Sequence, residues 1–182
     1  MELLIEKILE SEPKKKLDDD EIQFFKTYIW KSDLRSGKMM IQMVLELAFG
    51  EYNDIYFEGD SKEFFVLTKN KKPLIFITPE SSLNAEGSVG ENFNLISLLE
   101  ENHPEIQYFW GLAATYYRWT FTCYFPKENL EIEKFIVSEP RDFCLADDLD
   151  EEMLSEIIQI LRFIYKTDPT RSFHDVFNAF GL

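Results

Sequence analysis

The chain has 182 residues, 45% of them hydrophobic, including 17 Phe, 8 Tyr and 3 Trp, which is enough apolar surface for one domain-sized core and excludes wholesale disorder. Its 34 acids against 19 bases leave a net charge of −15, a field that repels nucleic acid, because a backbone binder must present clustered cations, and that suits a basic protein partner or plain solubility. Cys123 and Cys144 form no Cys-x-x-Cys pair, no run of about 18 apolar residues offers a membrane span, and the charged start Met-Glu-Leu-Leu-Ile-Glu-Lys is unlike a secretory signal, so reduced thiols in the cytoplasm or nucleus are expected.

Leu3, Leu4, Ile8 and Leu9 are spaced for a helix over residues 2–10, limited by Pro13. The acids at 18–21 can cap a second helix over 19–31, with Ile22, Phe25, Ile29 and Trp30 on its apolar stripe. Ser36-Gly37 separates it from a third helix, 38–49, with Met40, Val44, Leu47 and Ala48 inward and Gly50 as C-cap. Three strands follow: 54–58, 63–68 and the apolar run 73–77, the last two joined by the polar turn Lys69-Asn70-Lys71-Lys72. Residues 79–91 make the longest loop, and Phe93, Ile96 and Leu99 mark a helix over 91–102 that His103-Pro104 ends. A strand pair is expected at 106–115 and 118–125, with Trp119, Phe121, Cys123 and Phe125 on one face, then a strand at 130–138. Asp147, Asp148 and Asp150 can cap a long helix to Lys166 with the stripe Leu154, Ile157, Ile158, Leu161 and Ile164. A short amphipathic helix at 172–180 follows Asp168-Pro169.

Two segments carry a family likeness. Glu63-Phe64-Phe65-Val66-Leu67, a turn, then Pro73-Leu74-Ile75-Phe76-Ile77 resembles the metal-bearing hairpin of the PD-(D/E)XK nuclease superfamily. Tyr108-Phe109-Trp110-Gly111-Leu112-Ala113-Ala114-Thr115 with Trp119-Thr120-Phe121 resembles the Gly-hydrophobic-Thr and Trp-x-Phe strands of its Crinkler-like and retrotransposon-hot-spot-like members. The resemblance implies an α/β fold with a restriction-endonuclease-like mixed central sheet flanked by helices. Residues 37–168 form that domain, 1–36 an added helical segment and 169–182 an added C-terminal helix.

The chemistry departs from the family. There, two acids on the hairpin hold Mg²⁺ and a Lys two residues on serves the attacking water. Glu63 fills the first slot, but Thr78 stands where the second acid belongs and Glu80 where the Lys belongs, with Pro79 between them expected to end the strand. Asp54, Glu58 or Asp60 would have to replace the missing ligands, although acids beside Gly59 are ordinary turn formers. His103 and His174 are the only histidines and stand apart, so no zinc set is read, and no Gly-x-Ser-x-Gly elbow or phosphate loop occurs. No metal or other cofactor is expected. The remaining candidates for function are aromatic contacts, Tyr116 and Tyr117 at the strand turn and Phe173, Phe177 and Phe180 on the last helix. The expectation is a catalytically inactive nuclease-like domain that works as an interaction subunit or adaptor. The alternatives are an acidic inhibitor or immunity-type protein that masks a basic effector, and a divergent metal-dependent nuclease.

Overall fold

The computed structural model describes residues 1–28, 34–52, 54–58, 65–69, 71–79, 100–115, 117–125, 135–145, 148–172, 174–175 and 178. Its elements are helices α1 (Glu2–Ser11), α2 (Asp19–Tyr28) and α3 (Leu34–Phe49), strands β1 (Ile55–Glu58), β2 (Phe65–Lys69), β3 (Lys72–Pro79), β4 (Phe109–Ala114), β5 (Arg118–Tyr124), β6 (Phe135–Val137), β7 (Arg141–Asp142), β8 (Cys144–Leu145) and β9 (Asp148–Leu149), and helix α4 (Glu151–Lys166). The class is α/β. One mixed sheet runs β1-β2-β3-β4-β5-β6, with β7 also on β5, and β8–β9 form a separate pair. Neighbours in the main sheet are antiparallel except β3 and β4, which are parallel. A parallel pair needs a long crossover. Residues 80–108 supply it, and 100–102 are helical. The rest of the expected helix, 91–99, and the loop at 80–91 lie outside the described residues, as do 130–134 of the strand expected at 130–138.

Strands β3, β4 and β5 are covered on both faces, as their near-continuous apolar sequence requires. Ile75, Ile77, Trp110, Leu112, Trp119, Phe121 and Cys123 bury one face, and Phe76, Thr78, Phe109, Ala113, Thr120 and Thr122 the other. Gly111 has a spatial cause: a Cβ there would collide with Thr122 Oγ1 and come within 2.5 Å of the Phe76 ring. Between Leu67 and Thr68 the β2–β3 register shifts, so Leu74 is an extra residue beside Pro73, which has no N–H to donate. Both Leu74 and Ile75 consequently join the same core. Pro79 is the last residue of β3, as expected, and pairs with Ala114 across the parallel ladder.

On the far edge, β6 and β7 behave as one interrupted strand. At the break Ser138 keeps the ladder intact, donating its N–H to Phe121 O (2.8 Å) and accepting the Phe121 N–H on its hydroxyl (2.9 Å). The short strands β7, β8 and β9 have no period long enough to read in sequence. Asp148 therefore belongs to β9, Asp147 lies outside the described residues, and Asp150 caps α4, accepting the Met153 N–H at 2.9 Å.

Helix α4 is the hub of the helical layer. Ile157, Ile158, Ile160, Leu161, Phe163 and Ile164 are all essentially inaccessible, a burial wider than one stripe, because α1, α3 and the sheet each pack on it. Its polar side chains finish its neighbours. The last carbonyls of a helix lack intrahelical donors. Gln159 Nε2 serves those of Leu9 and Glu12 at the end of α1, and Arg162 serves Leu47 O (3.2 Å) and Ala48 O (3.4 Å) at the end of α3. Lys69 Nζ from β2 does the same for Tyr165 O of α4 itself, at 2.6 Å.

Helix α1 is turned slightly from the expected stripe. Leu4, Ile5 and Ile8 face the core and Leu3 is 63% exposed. The helix is also tied at both ends to its own chain. Glu2 accepts from the Glu139 N–H (2.8 Å) and Arg141 (3.4 Å), and the buried Glu12 carboxylate takes Lys166 Nζ at 2.7 and 2.8 Å. Helix α2 starts in a capping box in which Asp18 and Glu21 exchange backbone N–H and carboxylate bonds at 2.8 and 2.9 Å. Ser36-Gly37, expected as a break, lies inside α3. Gly50 is required for close approach, since a Cβ there would sit 2.6 Å from Glu46 O, the acceptor of its N–H.

Tyr108 is fully buried below this layer, and burial, opposed by a hydrogen bond with Thr167, raises its phenol above the ordinary 10.0. The unfolded phenol ionises first as pH rises. Its contribution to stability is thus present below about pH 10 and lost above it. Tyr108→Phe is expected to flatten the fall in melting temperature between about pH 10 and 11.5 relative to the native chain. An unchanged alkaline slope would refute the assignment.

Candidate functional site

In sheets with parallel strands, ligand chemistry gathers beyond the carboxyl ends of those strands. Here that end carries Thr78 and Pro79 of β3, Ala113 and Ala114 of β4, and the turn Thr115–Arg118 leading into β5. Thr78, Ala113 and Thr120 stand side by side across three strands on one face, each at most 5% exposed. Thr120 Oγ1 and Thr122 Oγ1 have no hydrogen-bond partner among the described residues.

The groups beside this row are committed. Thr115 Oγ1 accepts the N–H of Arg118 (2.9 Å) and of Tyr117 (3.3 Å), which shapes the turn. Tyr117 is half-buried, packs against the core, accepts the Phe143 N–H at 3.0 Å and has the Arg118 guanidinium 5.9 Å from its ring centre. Arg118 makes a two-pronged bond to Asp142, Nε to Oδ1 at 2.7 Å and Nη2 to Oδ2 at 2.6 Å. That hydrogen bonding holds the guanidinium pKa above its ordinary value, with the carboxylate's charge adding to it. The described groups here offer neutral hydroxyls and one satisfied ion pair. They contain no nucleophile–base pair.

Of the residues singled out in sequence, Thr78 and Tyr117 lie at this end. Glu63, Glu80, Tyr116, Phe173, Phe177 and Phe180 lie outside the described residues, as do Asp60 and the Glu58 side chain. Asp54 accepts the Tyr165 hydroxyl at 3.0 Å, and Tyr165 stacks on Tyr52 with ring centres 3.8 Å apart. Its carboxylate is a tether between the start of β1 and α4. Desolvation, then that hydrogen bond, raises the Tyr165 pKa. His103 Nδ1 is 3.6 Å from Glu105, and His174 is exposed on a helical turn. Among the described residues no three His, Cys, Asp or Glu side chains gather as a metal site, and no helix is long and apolar enough to cross a membrane.

Two features escaped the sequence reading. The Arg118–Asp142 pair joins residues 24 apart through a two-residue strand, and no local pattern announces it. A cleft of about 290 Å³ lies at the opposite end of β3, lined by Lys69, Lys72, Pro73, Leu74, Lys166 and Thr167 together with Asp168 and Pro169. Its hairpin lysines read only as a polar turn, although the two-residue connection was a signal that Lys69 and Lys72 stand opposite each other. Comparison with protein families, curated proteins and solved structures finds no match for this chain.

Proposed function

We propose that the chain is a catalytically inactive, restriction-endonuclease-like α/β domain that acts as a protein–protein interaction subunit or adaptor. One observation carries this reading: Thr78, in the slot where the resemblance calls for a metal-holding carboxylate, is a buried hydroxyl packed beside Ala113 and 5% exposed. A hydroxyl supplies no negative charge to a hard dication, and burial in the sheet keeps it from one. The element order supports the finer fold reading, since α3, the meander β1–β3, a crossover, parallel β4 and returning β5 follow the order of the resemblance. The partner presents a basic or apolar surface, in keeping with the net charge of −15.

A second reading, an acidic inhibitor or immunity-type protein, is favoured by one juxtaposition. Helix α2 packs on β9, which brings the exposed Asp18, Asp19 and Asp20 to the same side as the exposed Asp148, Glu151 and Glu152. Lys14 reaches this group, pairing with Glu152 at 2.6 Å.

Calorimetric titration with Mg²⁺ and Mn²⁺, alongside assays on DNA and RNA, tests the first reading. The expected result is no saturable heat that Glu63→Ala removes, and no metal-dependent cleavage. Cleavage abolished by Glu63→Ala would establish the divergent nuclease instead. Affinity purification from the native cell at low and high salt then separates the binding readings. Partner recovery lost at 0.5–1 M salt, roughly where the Debye length falls toward 3 Å, marks charge masking. Recovery that persists marks apolar docking.

A further inference from the structure

We propose that the cleft between the β2–β3 hairpin and the end of α4 binds a phosphate dianion, either free phosphate or the phosphate group of a small monoester. In a chain of net charge −15, Lys69, Lys72 and Lys166 converge on one cleft that no arginine lines. Lys69 and Lys72 are directly opposite in the hairpin register. Like charges so placed repel each other, and a bound anion relieves that repulsion. The hairpin enforces the placement, since β2 and β3 are joined by only two residues, with Lys71 at φ 64° in the left-handed region.

The ammonium groups are oriented yet not exhausted. Lys69 donates to Tyr165 O at 2.6 Å and sits 3.9 Å from the centre of the Tyr165 ring. Lys166 donates to the two Glu12 oxygens at 2.7 and 2.8 Å. Each ammonium has three N–H donors, so both retain some for a ligand. Lys72 is exposed and makes no direct hydrogen bond or ion pair among the described residues, with Glu105 and Asp168 near enough to feel its charge. Point-like ammonium donors arriving from two strands and a helix suit a tetrahedral phosphate, whereas a planar carboxylate is better matched by an arginine fork.

The one acid on the wall is hydrogen-bonded within its own turn, although Lys72 is near enough to help lower its pKa. Asp168 accepts from Thr170 N (3.1 Å) and Thr170 Oγ1 (2.7 Å) and lies 3.6 Å from Arg171. Pro73, Leu74 and Pro169 supply an apolar side to the cleft, against which a small ester group can lie. The volume of about 290 Å³ stands at the lower end of small-ligand sites.

The test is a ¹H–¹⁵N NMR titration of the full chain with inorganic phosphate and with phenyl phosphate, at pH 7.5 and constant ionic strength maintained with sodium chloride. Saturable shifts are expected at the amides of residues 69–72, 74 and 166–168, and Lys72→Gln should weaken binding at least fivefold. Lys16→Gln, an equal charge change at another exposed lysine, should leave it unaltered. Tighter binding of phenyl phosphate identifies the monoester as the ligand, and equal or weaker binding identifies free phosphate. Shifts that fail to saturate, that map elsewhere, or that respond equally to both lysine substitutions would overturn the proposal.

Discussion

Replacing Phe163 by Ala is expected to cost about 3–5 kcal/mol of folding stability, the range for deleting a buried aromatic ring. Phe163 is wholly buried on α4 and meets Trp110 of β4 edge-to-face, with ring centres 6.2 Å apart and planes at 84°. Trp110 in turn meets Tyr108 at 6.0 Å and donates its indole N–H to Thr167 Oγ1 at 3.2 Å. Loss of the ring therefore removes apolar burial and leaves a cavity where helix and sheet are pinned by polar contacts at one side. Those contacts limit how far the site can collapse, which puts the cost toward the upper part of the range. Phe163→Leu fills much of the space and should cost about 1–1.5 kcal/mol. Urea unfolding with an unchanged slope reads both values. A Phe163→Ala variant within about 1 kcal/mol of the native chain would be incompatible with α4 seated on β4 in this way.

Gly111→Ala is the second large effect, at about 1–3 kcal/mol, the usual cost of overpacking a filled core. The added Cβ would meet the Phe76 ring at 2.5 Å and Thr122 Oγ1 more closely still. Neither can retreat, because Phe76 and Thr122 are on the strands flanking β4 and both are buried. Phe76→Leu should relieve part of the collision, so the double variant is expected to be more stable than the two single costs predict. Adding the two costs without any coupling would refute the steric account. The result also bears on the resemblance drawn from the sequence, where Gly111 was one of the residues that carried it. Here that glycine is required by the Phe76 ring, a packing cause that involves no catalysis.

Much of the architecture was legible because its causes are local. The α4 stripe and its Asp150 cap, the Asp18–Glu21 box, the apolar run of β3 and the alternation in β5 each lie within a few residues of sequence. The failures share a different cause. Ser36-Gly37 was read as a break, yet a helix tolerates both residues when the turns after them, from Met40 to Phe49, are buried against neighbours. The stripe of α1 was placed on Leu3 where Ile5 is buried, since several adjacent apolar residues leave its rotation open until a partner helix is chosen. Pro79, by contrast, is the last residue of β3, as its missing N–H predicts, and its pairing with Ala114 of the parallel β4 is the part that depends on the fold.

The candidate site divides the same way. By itself the sequence determined that a Thr stands where the resemblance calls for an acid, that histidines and cysteines are too few and too scattered to form a metal set, and that the chain is strongly acidic. Tertiary structure alone decided that Thr78 is buried beside Ala113 and Thr120, that Arg118 is bound by Asp142, and that α1 is held by Glu2 and Glu12 to its own chain. It also brought Lys166 to Lys69 and Lys72 across about a hundred residues of chain. Residue type and spacing fix which groups exist and which local segments they favour. Their solvent exposure and partners depend on contacts between distant segments, and those exist only once the core has formed.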